Sequence, residues 1–303
     1  MTLHNVALSA YTRFALGGPA RILADVATPE ELAAALDQAK ASGDPHTLIG
    51  GGSNLIVSDE GFPGTVLRYT AVNLEISGAG IEVGAGTVLQ HLVDASIAAG
   101  LEGLHTMTGI PGWVGGAVYG NAGAYGHSLH EFVESVRYFD GQQVREIGNA
   151  ACEFRYRESI FKQRKDWTVL GATLRMPQSA DPEKTAAEAA RILKTRNEKF
   201  PPDMKCAGSI FKNLLLAELP AEVRSRVPAS VVREGKVASA FFLERVGAKG
   251  LSQGGIRVAD YHANLLYNTG EGKAAEVREL IDVLQQRVRE EYGINLDPEV
   301  QFI

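Results

Sequence analysis

Two glycine-rich runs in the first half of the chain are of a kind that binds phosphate groups through the backbone. The longer run reads GIPGWVGGAVYGNAGAYG over residues 109–126, with seven glycines in eighteen positions and no lysine or arginine. Glycine costs conformational entropy on folding, so this density predicts a backbone that a ligand approaches closely, with N–H groups converging on anionic oxygens. For this run alone, a glycine-rich surface loop is the alternative interpretation.

The shorter run, GGGSN at 50–54, lies between two short apolar segments and predicts a strand–turn–strand. Neither run matches G-x-G-x-x-G opening a helix or G-x-x-x-x-G-K-[ST], which disfavours a Rossmann site and a P-loop. Two separated loops suit a long, two-ended cofactor such as FAD, bound non-covalently. The predicted cofactor-binding residues are Gly50, Gly51, Gly52, Ser53, Asn54, Gly109, Gly112, Gly115, Gly116, Ala117, Asn121 and Gly123.

Five motifs follow one another along the chain: GGGSNL at 50–55, the run at 109–126, YRES at 156–159, AGSIFKN at 207–213 and LDPEV at 296–300. Together they resemble the UDP-N-acetylenolpyruvoylglucosamine reductases, flavoenzymes that make UDP-N-acetylmuramate for peptidoglycan. The resemblance runs from about residue 12 to the C-terminus. The chain between Arg157 and Ser209 has no extra segment with a substrate-clamping tyrosine, so it resembles the shorter, second type of this family.

The resemblance implies an α/β (α+β) protein built on the FAD-binding fold of the vanillyl-alcohol-oxidase (PCMH) type. We expect FAD-binding subdomains at 1–69 and 70–197 and a C-terminal α+β substrate domain at 198–303. FAD is the implied cofactor, NADPH the co-substrate and a UDP-sugar the substrate. Two alternatives remain: another FAD oxidoreductase of this fold, or a catalytically silent protein that binds flavin or a nucleotide sugar.

Reduction of an enolpyruvyl ether requires a hydride at one carbon, a proton at the other, and a cation to stabilise the intermediate. The resemblance implies that Ser209 is the acid, Arg157 the cation and Glu299 the third catalytic residue. Considered alone, a Gly-Ser pair is usually a turn, an arginine beside a strand is usually on the surface, and a carboxylate near a chain end is usually solvated. Asp297 lies close enough to Glu299 to be confused with it.

Lys199, Lys212 and Asn213 are expected to contact the diphosphate and the sugar. The net negative charge of the protein repels an anionic substrate, so a few hydrogen-bond donors must be placed at the binding site to offset that repulsion. Tyr125 and the glycine-rich region 247–255 are the candidates for closing over the substrate. Leu214 stands where the family usually has proline, which puts the stiffness of that loop in doubt but not the chemistry.

Composition narrows the function class further. The chain has 303 residues and a net charge of −6, with no basic cluster, which argues against nucleic-acid binding. We expect no membrane span, no signal peptide, a cytoplasmic location and a monomer. The two cysteines, Cys152 and Cys206, suggest neither a metal site nor a disulfide, so no metal is expected.

Local signals predict several elements. Thr28 and Pro29 open a helix to about residue 42, and a capping box from Thr87 to Gln90 opens another to about residue 99. A hairpin turns at 140–141, a strand covers 167–176, and a third helix starts at 181–182. A long amphipathic helix is expected from about 273 to 292, ended by Gly293.

Overall fold

The fold comes from a computed structural model that describes residues 1–303. Its α-helices are α1 Pro29–Ala41, α2 Leu89–Ala98, α3 Val114–Tyr119, α4 Ile160–Gln163, α5 Pro182–Lys199, α6 Ala221–Ser225, α7 Ser239–Arg245 and α8 Ala274–Tyr292. Its strands are β1 Thr2–Ala7, β2 Pro19–Val26, β3 His46–Ile49, β4 Leu55–Ile56, β5 Phe62–Tyr69, β6 Leu74–Ser77, β7 Gly80–Gly84, β8 Gly123–Ala124, β9 His127–Ser128, β10 Val133–Phe139, β11 Val144–Gly148, β12 Thr168–Arg175, β13 Cys206–Ser209, β14 Leu214–Leu215, β15 Val232–Arg233, β16 Lys236–Val237, β17 Ser252–Gln253, β18 Ile256–Ala259, β19 His262–Asn268 and β20 Gln301–Phe302.

The chain divides into two compact units, each assembled from separate stretches of sequence. The first unit contains residues 1–6, 20–52 and 63–201, and the second contains 7–19, 53–62 and 202–303. Each unit has a hydrophobic core of its own. The two short N-terminal stretches of the second unit were not expected from the sequence. The predicted domain limits at residues 69/70 and 197/198 remain predictions.

The first unit carries a four-stranded sheet in the order β1-β2-β5-β3 and a five-stranded sheet in the order β11-β10-β12-β7-β6. Helix α1 begins where predicted, because the Thr28 hydroxyl accepts the N–H of Glu31 at 3.2 Å. The expected hairpin joins β10 to β11, and its turn is stabilised by the Asp140 carboxylate, which accepts the N–H groups of Gln142 and Gln143. The predicted strand at 167–176 is β12.

The second unit contains a four-stranded sheet in the order β13-β19-β18-β17, together with smaller ladders. Helix α8 buries the predicted apolar stripe, including Val277, Leu284 and Val288, and ends at Gly293 in the left-handed conformation. The short strand β4, which follows the GGGSN run, pairs in parallel with β20 at the C-terminus.

One predicted helix start was wrong. Helix α2 has Val88 as its N-cap, with no side-chain cap, so Thr87 and Gln90 do not form a capping box. Instead, the Thr87 hydroxyl donates to the carbonyl of Asn73 at 3.2 Å, and the Gln90 side-chain oxygen accepts the N–H of Gly109 at 2.6 Å. Both side chains bond to backbone distant in sequence, which competes with local capping. Gln90 thereby fixes the start of the long glycine-rich run.

Candidate active site

The glycines at 50–52 follow strand β3 at the edge of the first sheet. A Cβ added to Gly50 would meet nothing within 4 Å, so its backbone faces open space. A Cβ added to Gly51 would lie 3.0 Å from Cδ1 of Trp113 and 3.4 Å from Cα of Gly112. The two predicted cofactor runs therefore come together in the first unit, with Trp113 of the long run against Gly51 of the short one.

The glycine density of the long run suggested a continuous loop, but residues 114–119 form helix α3. Its first amide groups are already engaged: Val114 N–H donates to Thr87 O at 2.9 Å and Gly115 N–H to Ala85 O at 2.8 Å. A Cβ at Gly115 would lie 2.9 Å from the Cβ of Ala85. Gly115 therefore permits close packing of α3 on the end of β7, which is a structural reason for this glycine.

Gly116 differs from its neighbour in what its missing side chain faces. A Cβ at Gly116 would meet nothing within 4 Å. Gly50 and Gly116 thus each offer bare backbone beside open space, which is what close approach of a cofactor requires. The residues present fit a flavin nucleotide, and within the first unit they would hold it through the backbone of Gly50, Gly51 and Gly116.

The end of the long run supports the turn that carries Arg157. The Asn121 side chain is 2 % exposed; its amide donates to Arg155 O at 2.9 Å, and its oxygen accepts the N–H of His130 at 3.1 Å. The buried Ser159 hydroxyl donates to Tyr119 O at 2.7 Å. We predicted a cofactor contact for Asn121, but its side chain bonds to protein backbone on both sides. Asn121 therefore connects the glycine-rich run to the YRES motif.

Arg157 itself has a left-handed backbone, with φ of 58°, which is uncommon for a residue with a side chain. Its guanidinium donates to Gly123 O at 3.0 Å, and its own carbonyl accepts from the Lys162 ammonium at 2.6 Å. The Lys162 side chain is only 13 % exposed, so this contact is shielded from water. The fold thus positions Arg157 from two directions, and it is not an arginine left on the surface beside a strand.

Ser209 lies in the second unit, at the end of strand β13. It pairs with Leu265 of β19, and the register shifts between Cys206 and Ser209. Gly208, within this irregularity, has φ of +76°, a conformation in which glycine carries no side-chain penalty. The Gly-Ser pair therefore forms a bulge in a strand, not the loop turn that the dipeptide alone favours, and Ser209 is half-buried.

The LDPEV motif runs alongside AGSIFKN in the same unit. Glu299 N–H donates to Ile210 O at 2.7 Å, and Lys212 N–H donates to Asp297 O at 2.9 Å. The Asn54 side-chain amide donates to Glu299 O at 2.9 Å. The structure thus brings three separate predicted motifs together, and the Asn54 amide that we predicted as a cofactor contact bonds to the backbone of Glu299.

Known proteins are similar to this chain in sequence and in fold. The model of the "UDP-N-acetylenolpyruvoylglucosamine reductase, C-terminal domain" family matches residues 200–303, and an "FAD binding domain" model matches 20–144. A UDP-N-acetylenolpyruvoylglucosamine reductase of Solibacter usitatus is 56% identical over 298 residues, covering 98% of this chain and 95% of the relative. This chain belongs to the UDP-N-acetylenolpyruvoylglucosamine reductase family.

Further members of the reductase family match over nearly their whole length. The relative from Bacillus subtilis is 33% identical over 304 residues, covering 99% of this chain and 93% of its own. The crystal structure of the reductase from Thermus caldophilus is 31% identical, with a TM-score of 0.77, and covers 98% of this chain and 97% of that one. The predicted family and the FAD-binding α/β fold are confirmed.

The remaining predicted residues of this reductase are distributed over both units. Lys199 ends helix α5 in the first unit, and desolvation together with the charge of Arg196 lowers the pKa of its ammonium group, although the residue as a whole is exposed. Lys212 and Asn213 follow Ser209 in the second unit. Tyr125 is 50 % exposed and left-handed, with φ of 52°, in the tight turn between β8 and β9.

Several supporting residues of the reductase were missed by sequence analysis. They are Trp113, Lys162 and Asn264; Asn264 is a buried polar residue whose side chain pairs with Phe211. The one signal available was an asparagine within the apolar strand HANLLYN, since a buried amide requires partners. No group of three or more histidine, cysteine or acidic residues could hold a metal ion, and none of the helices combines the length and apolar character needed to cross a membrane.

Proposed function

We propose that this chain uses FAD and NADPH to reduce UDP-N-acetylglucosamine enolpyruvate to UDP-N-acetylmuramate, a precursor of peptidoglycan. The observation that carries the proposal is the pairing of the AGSIFKN and LDPEV motifs through Ile210 and Glu299, within the region that matches the reductase C-terminal domain. Membership of the family supplies the substrate class, because its members are named for this reductase activity.

The reaction adds two electrons and two hydrogens across the carbon–carbon double bond of the enolpyruvyl ether. When bound, the flavin supplies the hydride, which it has received from NADPH. The hydride is added to one carbon, and the electron pair of the double bond moves toward the other carbon and its carboxylate. The protein must therefore stabilise an enolate-like anion and deliver one proton to it.

Arg157 is proposed as the cation that binds this anion. A guanidinium keeps its charge at every working pH and can donate two parallel N–H bonds to a carboxylate. Its guanidinium is bonded to Gly123 O, and its backbone carbonyl accepts from Lys162. These bonds order the turn before the substrate reacts, which lowers the entropy cost of placing the guanidinium beside the anion.

Ser209 is proposed as the group that donates the proton. An alcohol is a weak acid, so the role requires a strongly basic enolate and a hydroxyl held within about 3 Å of the carbon. Glu299 is proposed to orient the substrate, or a water molecule that shares its proton. The backbone bond between Glu299 and Ile210 keeps these two groups on adjoining segments.

Lys199, Lys212 and Asn213 are proposed to bind the sugar diphosphate, and Tyr125 to close over the substrate. Desolvation and the nearby charge of Arg196 lower the pKa of the Lys199 ammonium. An anionic ligand beside it would stabilise the charged form and raise this pKa again. We also propose that the enzyme works as a monomer in the cytoplasm.

The test uses the visible absorbance of the purified protein. The flavin band near 450 nm should disappear on anaerobic addition of NADPH and return on addition of the enolpyruvyl sugar nucleotide, with one lactyl ether formed per NADPH consumed. A yellow protein that NADPH bleaches but only oxygen re-oxidises would instead indicate another oxidoreductase. A yellow protein that NADPH does not bleach would indicate a silent binding protein.

A further inference from the structure

Asn264 is a buried polar side chain in the middle of an apolar strand. It lies on β19, is 2 % exposed, and its neighbours Ala263 and Leu265 are fully buried. A buried carboxamide destabilises the fold unless its donors and acceptor are bonded, so its partners show what it does.

Both polar ends of the Asn264 side chain bond to one residue, Phe211. The side-chain oxygen accepts the N–H of Phe211 at 2.9 Å, and the side-chain amide donates to the carbonyl of Phe211 at 2.9 Å. The backbone carbonyl of Asn264 accepts the N–H of Ile210 at 3.0 Å. The carboxamide therefore acts as an extra peptide group, pairing with the strand just beyond its irregularity at 206–209.

The opposite edge of the same segment is held by the LDPEV motif. Ile210 O accepts from Glu299 N–H, and Lys212 N–H donates to Asp297 O. Residues 210–212 are thus bonded on one edge to Asn264 and on the other to residues 297–299. Removing the Asn264 side chain leaves the backbone bond from Ile210 N–H to the Asn264 carbonyl in place, but it removes both bonds that hold Phe211 on this edge, two residues after Ser209.

We propose that Asn264 is a positioning residue that sets the location of the Ser209 hydroxyl during proton transfer. The inference rests on the proposed function and assigns Asn264 no contact with substrate or cofactor. Proton transfer depends on heavy-atom distance, and a displacement of about 1 Å at a catalytic group can lower a rate by about 100-fold. Losing two bonds to Phe211 is a change of the kind that permits such a displacement.

The experiment compares the half-reactions of Asn264→Ala with those of Asn268→Ala. Asn268 is on the same strand and is 5 % exposed. Its side-chain amide donates to Phe14 O, and its side-chain oxygen accepts the N–H groups of Gly270 and Gly272, away from Ser209. Rapid-mixing absorbance should show normal bleaching by NADPH in both variants. Re-oxidation by the enolpyruvyl sugar nucleotide should slow about 10-fold to 100-fold in Asn264→Ala and less than about 3-fold in Asn268→Ala.

A double-mutant cycle separates positioning from general loosening of the fold. If Asn264 acts through Ser209, then adding Asn264→Ala to Ser209→Ala should slow re-oxidation less than about 3-fold further. Hydrogen exchange followed by mass spectrometry should also show faster exchange in the peptide covering 206–213 of Asn264→Ala, with unchanged exchange in α8. Additive effects on re-oxidation, or unaltered exchange at 206–213, would overturn the proposal.

If the alanine variant does not fold, Asn264→Asp replaces it in the experiment. The aspartate keeps an acceptor for Phe211 N–H and, when ionised, has no donor for the Phe211 carbonyl. Its re-oxidation should be slower than that of the unaltered protein at pH 8.5, and the ratio should approach one as the pH falls and the acid regains a donor. A ratio of one at pH 8.5 would overturn the inference. Failure of the unaltered protein to reduce the substrate would refute the proposed function instead.

Discussion

Glu299 donates its backbone N–H to the carbonyl of Ile210 at 2.7 Å, which places it beside the residue that follows Ser209. The two residues are 89 positions apart, and the contact brings two of the three predicted catalytic groups onto adjoining segments of one unit. A carboxylate that follows a bonded backbone group has fewer conformations available than one at a free chain end. The proposed chemistry depends on this pairing.

Arg157→Ala should lower kcat about 100-fold to 1,000-fold while raising KM much less, because the guanidinium is proposed to act on charge that develops only in the transition state. Alanine leaves the left-handed backbone at 157 and the Lys162 bond to its carbonyl in place, so the protein should remain folded. Steady-state kinetics with the enolpyruvyl sugar measures both constants.

Arg155→Ala is the matched control for this prediction. The Arg155 side chain is 74 % exposed and lies 4.0 Å from Glu153, so its removal should leave kcat unchanged. A large rise in KM with an unaltered kcat in Arg157→Ala would assign Arg157 to substrate binding alone.

Glu299→Gln should lower kcat by at least about 10-fold without altering NADPH oxidation by the flavin, since Glu299 is proposed to act on the sugar substrate. The control is Asp297→Asn, an exposed carboxylate two residues earlier whose contribution in the structure is the backbone carbonyl bonded to Lys212. If the Asp297 variant is impaired and the Glu299 variant is not, the catalytic assignment within LDPEV belongs to Asp297.

Gly116→Val should release flavin from a folded protein, whereas Gly115→Val should reduce stability. A side chain at 116 enters open space beside the backbone that is proposed to contact the cofactor, and one at 115 meets Ala85 at 2.9 Å. Valine is no worse than glycine as a helix residue, so Gly116→Val should not unfold α3. The ratio of 450-nm to 280-nm absorbance, with thermal melting of the apoprotein, measures both effects. A full flavin complement in Gly116→Val would contradict the assignment of this backbone.

Gly115 and Gly116 give the same signal in the sequence, so their different surroundings could not be predicted from it. Both residues lack a Cβ, and the difference between them is whether Ala85, thirty residues earlier, lies in the way. The same limit applies to Asn121, since the sequence places it in a glycine-rich run but does not show that Arg155 O lies within reach of its amide. Whether a residue of the glycine-rich run contacts a cofactor or the protein therefore depends on residues that are distant in sequence.

Asp59→Ala should destabilise the protein by about 1 kcal/mol without changing turnover. Its two carboxylate oxygens accept the N–H groups of Ala274 and Ala275 at 2.8 and 3.0 Å, so it caps helix α8 from 215 residues away. Urea unfolding measures the loss, and Asp282→Ala, an exposed acidic residue in the middle of the same helix, is the control. Equal midpoints for the two variants would show that the cap contributes no stability.

Cys152 should be unreactive toward thiol reagents in the native protein. Burial raises the pKa of its thiol to about 12, compared with about 8.5 for a free cysteine, so almost no thiolate forms at pH 8. Because the folded pKa is the higher one, the stability that this group contributes is complete below pH 8.5 and is lost as the pH rises toward 12. Ellman's reagent applied to Cys206→Ser, which leaves Cys152 as the only thiol, should react only after unfolding. Rapid reaction of the native variant would contradict the burial.

Elements whose signals are local were predicted well, and contacts between distant segments were not. Thr28, the 140–141 turn and Gly293 mark their boundaries through bonds or backbone angles within a few residues. The Thr87 capping box was wrong because Asn73 offered its hydroxyl a partner fourteen residues away. The family motifs nevertheless indicated the candidate site residues, since each motif carries the residue type that the proposed chemistry requires. The contacts that position those residues come from distant segments and were not predicted.

Ser209 is proposed to donate the proton that completes reduction of the enolpyruvyl group. Rapid-mixing absorbance of Ser209→Ala follows both half-reactions of the flavin in one preparation. Bleaching by NADPH should be normal, since no sugar carbon takes part in that step. Re-oxidation by the substrate should be at least about 100-fold slower than in the unaltered protein, and Ser209→Cys should recover part of the rate. Equal slowing of both half-reactions, or re-oxidation at the unaltered rate, would contradict the assignment of Ser209 as the acid.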